Sequence, residues 1–261
     1  MINRPIDKLN IKLKYGTPII GTHVSLAEHC ITEVMGETGF EFVWIDWEHS
    51  AMDRRDVQNH LIAARAAGIA AFVRVPWNDP VLVKPILEMG PDGVVFPMIR
   101  TAEEARAAVA SCLYPPKGIR GYGPRRANNY GAMSGDEYLR QVETSFWKIM
   151  QIEHVDAVKN LDEILTVDGV DTIVVGPNDL SGSAGLLTQT RHPEVLALLD
   201  EIAEKCRDHK KPFGVSLGFA KETIEDWKRR GCAWIACGGD TGYLYEGAVG
   251  TYKNVKEIMN G

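Results

Sequence analysis

A (β/α)8 barrel is the fold this sequence predicts, on three observations. Eight short apolar, β-branched runs recur along the chain, amphipathic stretches alternate with them, and no GxGxxG fingerprint follows any strand. Strands alternating with helices build βαβ units and a parallel sheet. Eight units in 261 residues suit a closed barrel better than an open doubly wound sheet.

In chain order, "PIIGTHV" (18–24) opens the sheet with β-branched residues, and "SLAEHCITEVMGETG" follows at helical spacing. "FEFVWID" (40–46) stays apolar almost to its end, and "DRRDVQNHLIAARAAG" starts on an acidic cap and stops on glycine. "AAFVRV" (70–75) precedes "DPVLVKPILEMG", and "GVVFPMI" (93–99) precedes "TAEEARAAVASCL", which opens as a capping box. Residues 112–146 have no periodicity, and a loop of that length is expected to serve function or assembly. "KIMQIE" (148–153) leads into "VDAVKNLDEIL", read as one helix. "TIVVG" (172–176) leads through "PNDLSG" to "HPEVLALLDEIAEKCRDH". "PFGVSL" (212–217) and "AWIACG" (233–238) complete the sheet, followed by "AKETIEDWKRRG" and "GDTGYLYEGAVGTYKNVKEIM". No linker divides the chain, so residues 1–261 are expected to form a single domain.

The bulk numbers exclude several classes. A composition 45% hydrophobic and 25% charged is ordinary for a soluble globular protein. The net charge of −6, without a basic block, disfavours nucleic-acid binding. The N-terminus "MINRPIDKLNIKLKYG" lacks the apolar core of a signal peptide, and no apolar run is long enough to span a membrane. Five cysteines without a CxxC pair read as reduced thiols in a cytoplasmic protein.

Active sites of such barrels form at the C-terminal strand ends. Those ends carry His23, the cluster Asp46, Glu48 and His49, then Arg74, Glu153, Asp179 just past the sixth strand, Ser216, and Asp240 after the eighth. Glu153 and Asp179 lie 26 positions apart, about one βαβ repeat, which places them on adjacent strand ends. Two converging carboxylates repel unless a cation sits between them, and a hard divalent ion suits oxygen ligands. Asp179 equally fits a helix N-cap. Arg74 lies inside an apolar strand, where a guanidinium must bind an anion or join a structural ion pair. His49 reads either as a general base tuned by its acidic neighbours or as a solvated loop residue. Lys148 and Lys211 fall at strand beginnings, the wrong end for a Schiff base, so lysine-based carbonyl chemistry is disfavoured.

The segments "IDWEHS", "VRVPWNDP", "YPPKGIRGYG", "QIEHVDAVKNLDEIL", "VDGVDTIVVGPNDLS" and "HPEV", in that order, resemble the metal-dependent pyruvate aldolases of the HpcH/HpaI aldolase family from about Gly16 to the last helix. The resemblance implies a (β/α)8 barrel of the phosphoenolpyruvate/pyruvate superfamily type. It implies Mg²⁺, Mn²⁺ or Co²⁺ held by Glu153 and Asp179, with Gln151 beside the metal. Pyruvate would meet the loop Gly176, Pro177, Asn178. Arg74 would stabilise the enolate oxygen, and His49, supported by Asp46, would transfer protons. The implied reaction is reversible retro-aldol cleavage of a 4-hydroxy-2-oxo acid to pyruvate and an aldehyde. The implied assembly is a hexamer with C-terminal helices exchanged between neighbours.

Four departures from the family pattern stand out. Trp47 occupies a position that is often small. Glu88 stands where an aspartate is thought to help the histidine. His23 and Ser216 replace apolar residues at the aldehyde end, making it more polar. In the loop "GYGPRRANNYG", Arg125 and Arg126 fit either an anionic substrate tail or a subunit contact. Two other functions compete: a decarboxylase or thioester lyase using the same site, and a non-catalytic metal or keto-acid binding protein. Intact Glu153, Asp179, Arg74 and His49 weigh against the second.

Overall fold

The computed structural model describes residues 4–260. Eight parallel strands close a barrel in chain order: β1 (Ile19–Val24), β2 (Phe42–Asp46), β3 (Ala70–Arg74), β4 (Gly93–Phe96), β5 (Trp147–Ile152), β6 (Thr172–Val175), β7 (Phe213–Leu217) and β8 (Trp234–Gly239). The helices are α1 (Pro5–Lys14), α2 (Cys30–Glu37), α3 (Arg54–Ala67), α4 (Pro80–Met89), α5 (Ala102–Cys112), α6 (Gly135–Gln141), α7 (Val155–Lys159), α8 (Leu161–Leu165), α9 (Pro177–Ser183), α10 (Pro193–Asp208), α11 (Lys221–Arg230) and α12 (Asp240–Asn260). The architecture is the (β/α)8 barrel that the strand rhythm predicts.

Strand alternation sorts the core into two shells. Phe42, Trp44, Phe72, Val95, Trp147, Ile149, Val174, Trp234 and Ala236 fill the barrel interior, while Val43, Ile45, Val73, Phe96, Met150, Val175 and Val215 face the surrounding helices. The interior is dominated by rings: Phe42 and Phe72 lie 4.7 Å apart, and Trp234 meets both edge-on. Gly214 makes room for this plug, since a Cβ there would lie 2.2 Å from the Trp234 ring. Continuing the same parity upward reaches His23, Asp46, Arg74, Gln151, Glu153 and Ser216, so a polar layer caps the aromatic one.

Helix α1 has no counterpart in the expected elements. It closes the bottom of the barrel, inserting Ile6 and Leu9 into the interior cluster. Its signal was present as Pro5 at the first turn and the i, i+3, i+7 spacing of Ile6, Leu9 and Leu13. The stretch expected as one helix after β5 is two, α7 and α8, separated at Asn160, whose side chain donates to the Arg100 carbonyl at 2.9 Å. The run expected as strand 93–99 ends at Phe96. Pro97 cannot extend the ladder, and Met98 turns into the left-handed region at φ 57°. The long segment after α5 contains α6 and two short 3₁₀ turns, Arg126–Gly131 and Val142–Thr144.

Helix α12 is tied to the barrel at its start. Tyr243 Oη donates to the Cys237 carbonyl at 2.9 Å and shares a 2.8 Å hydrogen bond with Thr22. Beyond that point it exposes Leu244, Tyr245, Tyr252, Val255, Ile258 and Met259. Among the described residues no helix is long and apolar enough to cross a membrane.

Candidate active site

Asp46 organises the loop "WEHS". Its Oδ1 accepts the backbone N–H groups of Glu48 and His49, each at 3.1 Å, and Ser50 Oγ donates to its carbonyl at 2.5 Å. Arg74, its register partner on β3, donates Nε to Oδ1 at 3.1 Å and Nη2 to Oδ2 at 2.5 Å. Burial alone would raise the Asp46 carboxyl, but the guanidinium outweighs it and holds the pKa below the usual value. The structural-pair reading of Arg74 is therefore present in the geometry. The anion-binding reading stays open beside it: among the described residues Nη1 makes no aligned hydrogen bond, only a 3.1 Å charge contact with the Glu48 carboxylate. Arg74 also lies 5.5 Å from the Trp44 ring centre, which supports the charge from below.

Glu48, expected from the sequence as an acidic neighbour tuning His49, stands between Arg74 and His49. Its Oε2 lies 3.1 Å from Arg74 Nη1 and 3.7 Å from His49 Nε2. The Arg74 approach is a charge contact without hydrogen-bond alignment, so this buried oxygen has no donor. Burial pushes the Glu48 pKa up to about 6 despite Arg74 and His49, with Glu153 adding like-charge repulsion. His49 itself is open, with 64% of its side chain exposed. Asp46 holds it through its backbone, not through the imidazole.

Glu153 lies just past β5. Its Oε1 accepts the Met98 N–H at 2.7 Å, and Gln151 Nε2 donates to Oε2. Burial raises its pKa against those two donors, and the charge of Asp179 raises it further. The left-handed Met98 is what aims that N–H at the carboxylate, a strained residue at a strand end. Gly176 is required here by close approach: a Cβ would lie 2.8 Å from Glu153 Oε2. Asn178 and Asp179 follow, exposed in the first turn of α9. The N-cap alternative for Asp179 fails, since Gly176 occupies that position and no side chain caps the helix.

At the other side of the mouth His23 bridges β1, β7 and β8. Its Nδ1 meets the Gly238 carbonyl at 2.7 Å and its Nε2 meets Ser216 Oγ at 2.9 Å. The ring packs 5.4 Å from Trp44, and burial lowers its pKa despite the Gly238 carbonyl, with Arg74 lowering it further. Asp240 is structural, accepting Ser25 N, Ser25 Oγ and Leu26 N at 2.8–2.9 Å.

Several expected residues stand apart from this group. Glu88 on α4 pairs with the buried Arg120 at 3.0 Å, and Arg120 also donates to Tyr138 Oη at 3.0 Å. Among the described residues Glu88 makes no hydrogen bond or ion pair with His49. Arg126 is no tail-binding group: it is buried, donating to the carbonyls of Met89 at 2.6 Å and Leu61 at 2.9 Å, where it ties α4 to α3. Trp47 packs against the outer core with Nε1 donating to the Met52 carbonyl at 3.0 Å. Lys148 and Lys211 lie at the barrel's bottom, bonded to Asp171 at 2.8 Å and to the Val170 carbonyl at 2.6 Å.

The metal reading has a physical test in these residues. Among the described residues Gln151 Oε1 is a buried acceptor with no donor and Glu153 is a buried carboxylate without an ion-pair partner, and Gly176 leaves space at its Oε2. Uncompensated acceptors of this kind suit a cation. Among the described residues no three His, Cys, Asp or Glu side chains gather as a metal cage. A site built on two carboxylates would leave other positions for water and substrate.

The family model for HpcH/HpaI aldolase/citrate lyase matches residues 20–246. A hydroxypyruvate/pyruvate aldolase of Roseobacter denitrificans is 35% identical over 213 residues, covering 81% of this chain and 82% of that protein. A 4-hydroxy-2-oxo-heptane-1,7-dioate aldolase of Salmonella dublin is 36% identical over 241 residues, covering 90% of this chain and 89% of that protein. The crystal structure of an HpcH/HpaI aldolase from Desulfitobacterium hafniense superposes with a TM-score of 0.88 at 29% identity, over 95% of this chain and 96% of that one.

Proposed function

The chain belongs to the HpcH/HpaI aldolase/citrate lyase family and is a carbon–carbon lyase, and on that premise we propose that it cleaves a 4-hydroxy-2-oxo acid to pyruvate and an aldehyde. The observation that carries this reading is the convergence of Arg74 with the buried carboxylate Glu153 above one aromatic floor. Arg74, Glu153 and His23 stand on the inward parity of their strands at the same end of the barrel, and the charge of Arg74 bears on both other groups, which supports the reading.

Glu153 and Asp179 would hold a divalent cation, Mg²⁺, Mn²⁺ or Co²⁺, with Gln151 beside it. When bound, such a cation supplies Lewis-acid stabilisation of negative charge on the 2-oxo oxygen. The remaining steps fall to the chain. The loop Gly176–Asn178 receives the substrate carboxylate. A base removes the proton of the C4 hydroxyl, the C3–C4 bond breaks, and its electron pair becomes the enolate of pyruvate. Arg74, fixed in place by Asp46, would offer Nη1 to that enolate oxygen in exchange for its contact with Glu48. His49, exposed at the mouth, would carry the proton, with Glu48 3.7 Å away. Protonation at C3 then releases pyruvate.

The exposed apolar side of α12 supports a homo-oligomer in which this helix crosses to a neighbouring subunit, a hexamer by family resemblance. All five cysteines are free, in keeping with a cytoplasmic enzyme. The direct test is release of pyruvate from a 4-hydroxy-2-oxo acid, followed by coupled NADH oxidation with lactate dehydrogenase. Release that requires Mg²⁺, Mn²⁺ or Co²⁺ and stops with chelator supports the reading. Silence with each metal across several such acids overturns it.

A further inference from the structure

One cavity, of about 290 Å³, is not lined by Arg74, Gln151, Glu153, Asp179 or His23. It meets the candidate active site only at Pro177, Asn178 and Ser216. From there it runs along one face of α11, where Ala220, Thr223, Trp227 and Arg230 recur at helical spacing. Leu196 and Leu199, on α10, add apolar wall.

The far end of this cavity holds donors without acceptors. Arg230 gives Nε to Asp200 at 2.7 Å and lies 5.4 Å over the Trp227 ring. Among the described residues neither of its Nη groups makes a hydrogen bond, although its side chain is only 12% exposed. Trp227 is 2% exposed, and its Nε1 has no hydrogen-bond partner among the described residues. That N–H is not sealed in the core as Trp44 Nε1 is, so it keeps access to the open space that Trp227 borders, which is this cavity. Asp226 is the one carboxylate in the lining, and Arg191 at 3.1 Å and Arg229 already hold it. Two guanidinium groups against one committed carboxylate leave the lining positive. Buried donors of this kind call for an acceptor, and a guanidinium beside an indole N–H favours an anionic one.

We propose that this cavity is a second ligand site, separate from the pyruvate site, for a small organic monoanion with an apolar body. Its carboxylate accepts from Arg230 and Trp227 Nε1, and its body lies against Leu196 and Leu199. The charge selects against a neutral molecule of the same shape, and the apolar wall selects against a bare anion.

The test is calorimetric titration of the full-length protein, with and without saturating pyruvate and Mn²⁺. Hexanoate is the probe, hexan-1-ol its uncharged counterpart, and acetate the anion without the body. Hexanoate is expected to bind with a Kd of about 1 mM or tighter, and the other two about tenfold more weakly or worse. Arg230→Gln and Trp227→Phe should each weaken hexanoate by about tenfold, and Arg230→Lys, which keeps the charge, should retain part of the affinity. Circular-dichroism melting establishes that each variant is folded, and Trp227→Phe keeps most of the packing while removing the donor. Exchange of the pyruvate methyl hydrogens should run at the wild-type rate in Arg230→Gln, so loss of the second ligand and loss of the enolate chemistry are read separately. Hexanoate that binds no tighter than hexan-1-ol, that binds equally well to Arg230→Gln and Trp227→Phe, or that pyruvate displaces completely overturns the proposal.

Discussion

Asp46 and Arg74 are aligned register partners on neighbouring strands, and their side chains close that alignment with two hydrogen bonds of 3.1 and 2.5 Å. The same carboxylate holds the backbone of Glu48 and His49. One residue therefore fixes the guanidinium and the loop that carries the proton-transfer group. Removing one member of a buried pair typically costs about 3–5 kcal/mol. Asp46→Ala is expected to lower stability by that order in urea unfolding. Arg74→Lys keeps the charge but loses the fork, and its turnover is expected to fall by about 100-fold. A Lys variant with wild-type kcat would remove Arg74 from the chemistry.

The two carboxylates beside Arg74 titrate in opposite senses. Asp46 has a lowered folded pKa, so its contribution is present above its ordinary value of 3.8 and is lost as pH falls through the folded value. Glu48 is raised to about 6 from 4.5, so its contribution is full below 4.5 and is lost as pH rises through about 6. In chelator-treated protein, Glu48→Gln is expected to flatten the decline in stability between pH 4.5 and 7. Asp46→Asn is expected to flatten the acid limb below pH 4. Urea midpoints measured across pH 3–8 separate the two.

Metal binding is expected to raise the melting temperature of wild type, because a ligand bound only by the folded state stabilises it by mass action. Glu153→Gln and Asp179→Asn should each abolish most of the shift seen with Mn²⁺ and lose pyruvate release with it. Retention of the full shift in both variants would place the cation elsewhere.

Arg126 is expected to act on stability alone. Arg126→Ala strips donors from the Met89 and Leu61 carbonyls, and hydrogen bonds from a charged group contribute about 1.5–3 kcal/mol each. Urea unfolding should show a loss of at least that order, with KM for anionic substrates unchanged. A raised KM in a stably folded variant would return Arg126 to the substrate tail.

The apolar side of α12 predicts an assembly that charge can break. Light scattering of wild type is expected to give a multiple of the 28.9 kDa chain, and Leu244→Glu with Ile258→Glu to give the single chain. An unaltered mass in the double variant would show that α12 does not hold the subunits together.

Much of this site was legible because strand periodicity and strand ends are both written locally. Asp46, Arg74, Gln151 and Glu153 fall on the inward parity of their strands at the C-terminal end, which a sequence displays directly. The left-handed Met98 was hidden, since a positive φ at a non-glycine residue is set by tertiary packing and leaves no mark in "VFPMI". The role of Arg126 was hidden for a related reason: the carbonyls it binds, in Leu61 and Met89, are remote in sequence. Helix α1 was legible from the spacing of Ile6, Leu9 and Leu13, a signal that the absence of a signal-peptide core does not register. The polarity of His23 and Ser216 could be seen from their residue types, but their pairing across β1 and β7, remote in sequence, required the fold.

The most direct measurement is exchange of the pyruvate methyl hydrogens for deuterium, followed by NMR with Mg²⁺, Mn²⁺ or Co²⁺ and again with chelator. It needs no aldehyde and isolates formation of the enolate. Exchange that requires a metal and falls sharply in Arg74→Lys is the expected result. No exchange with any of the three metals would contradict a pyruvate enolate at this site.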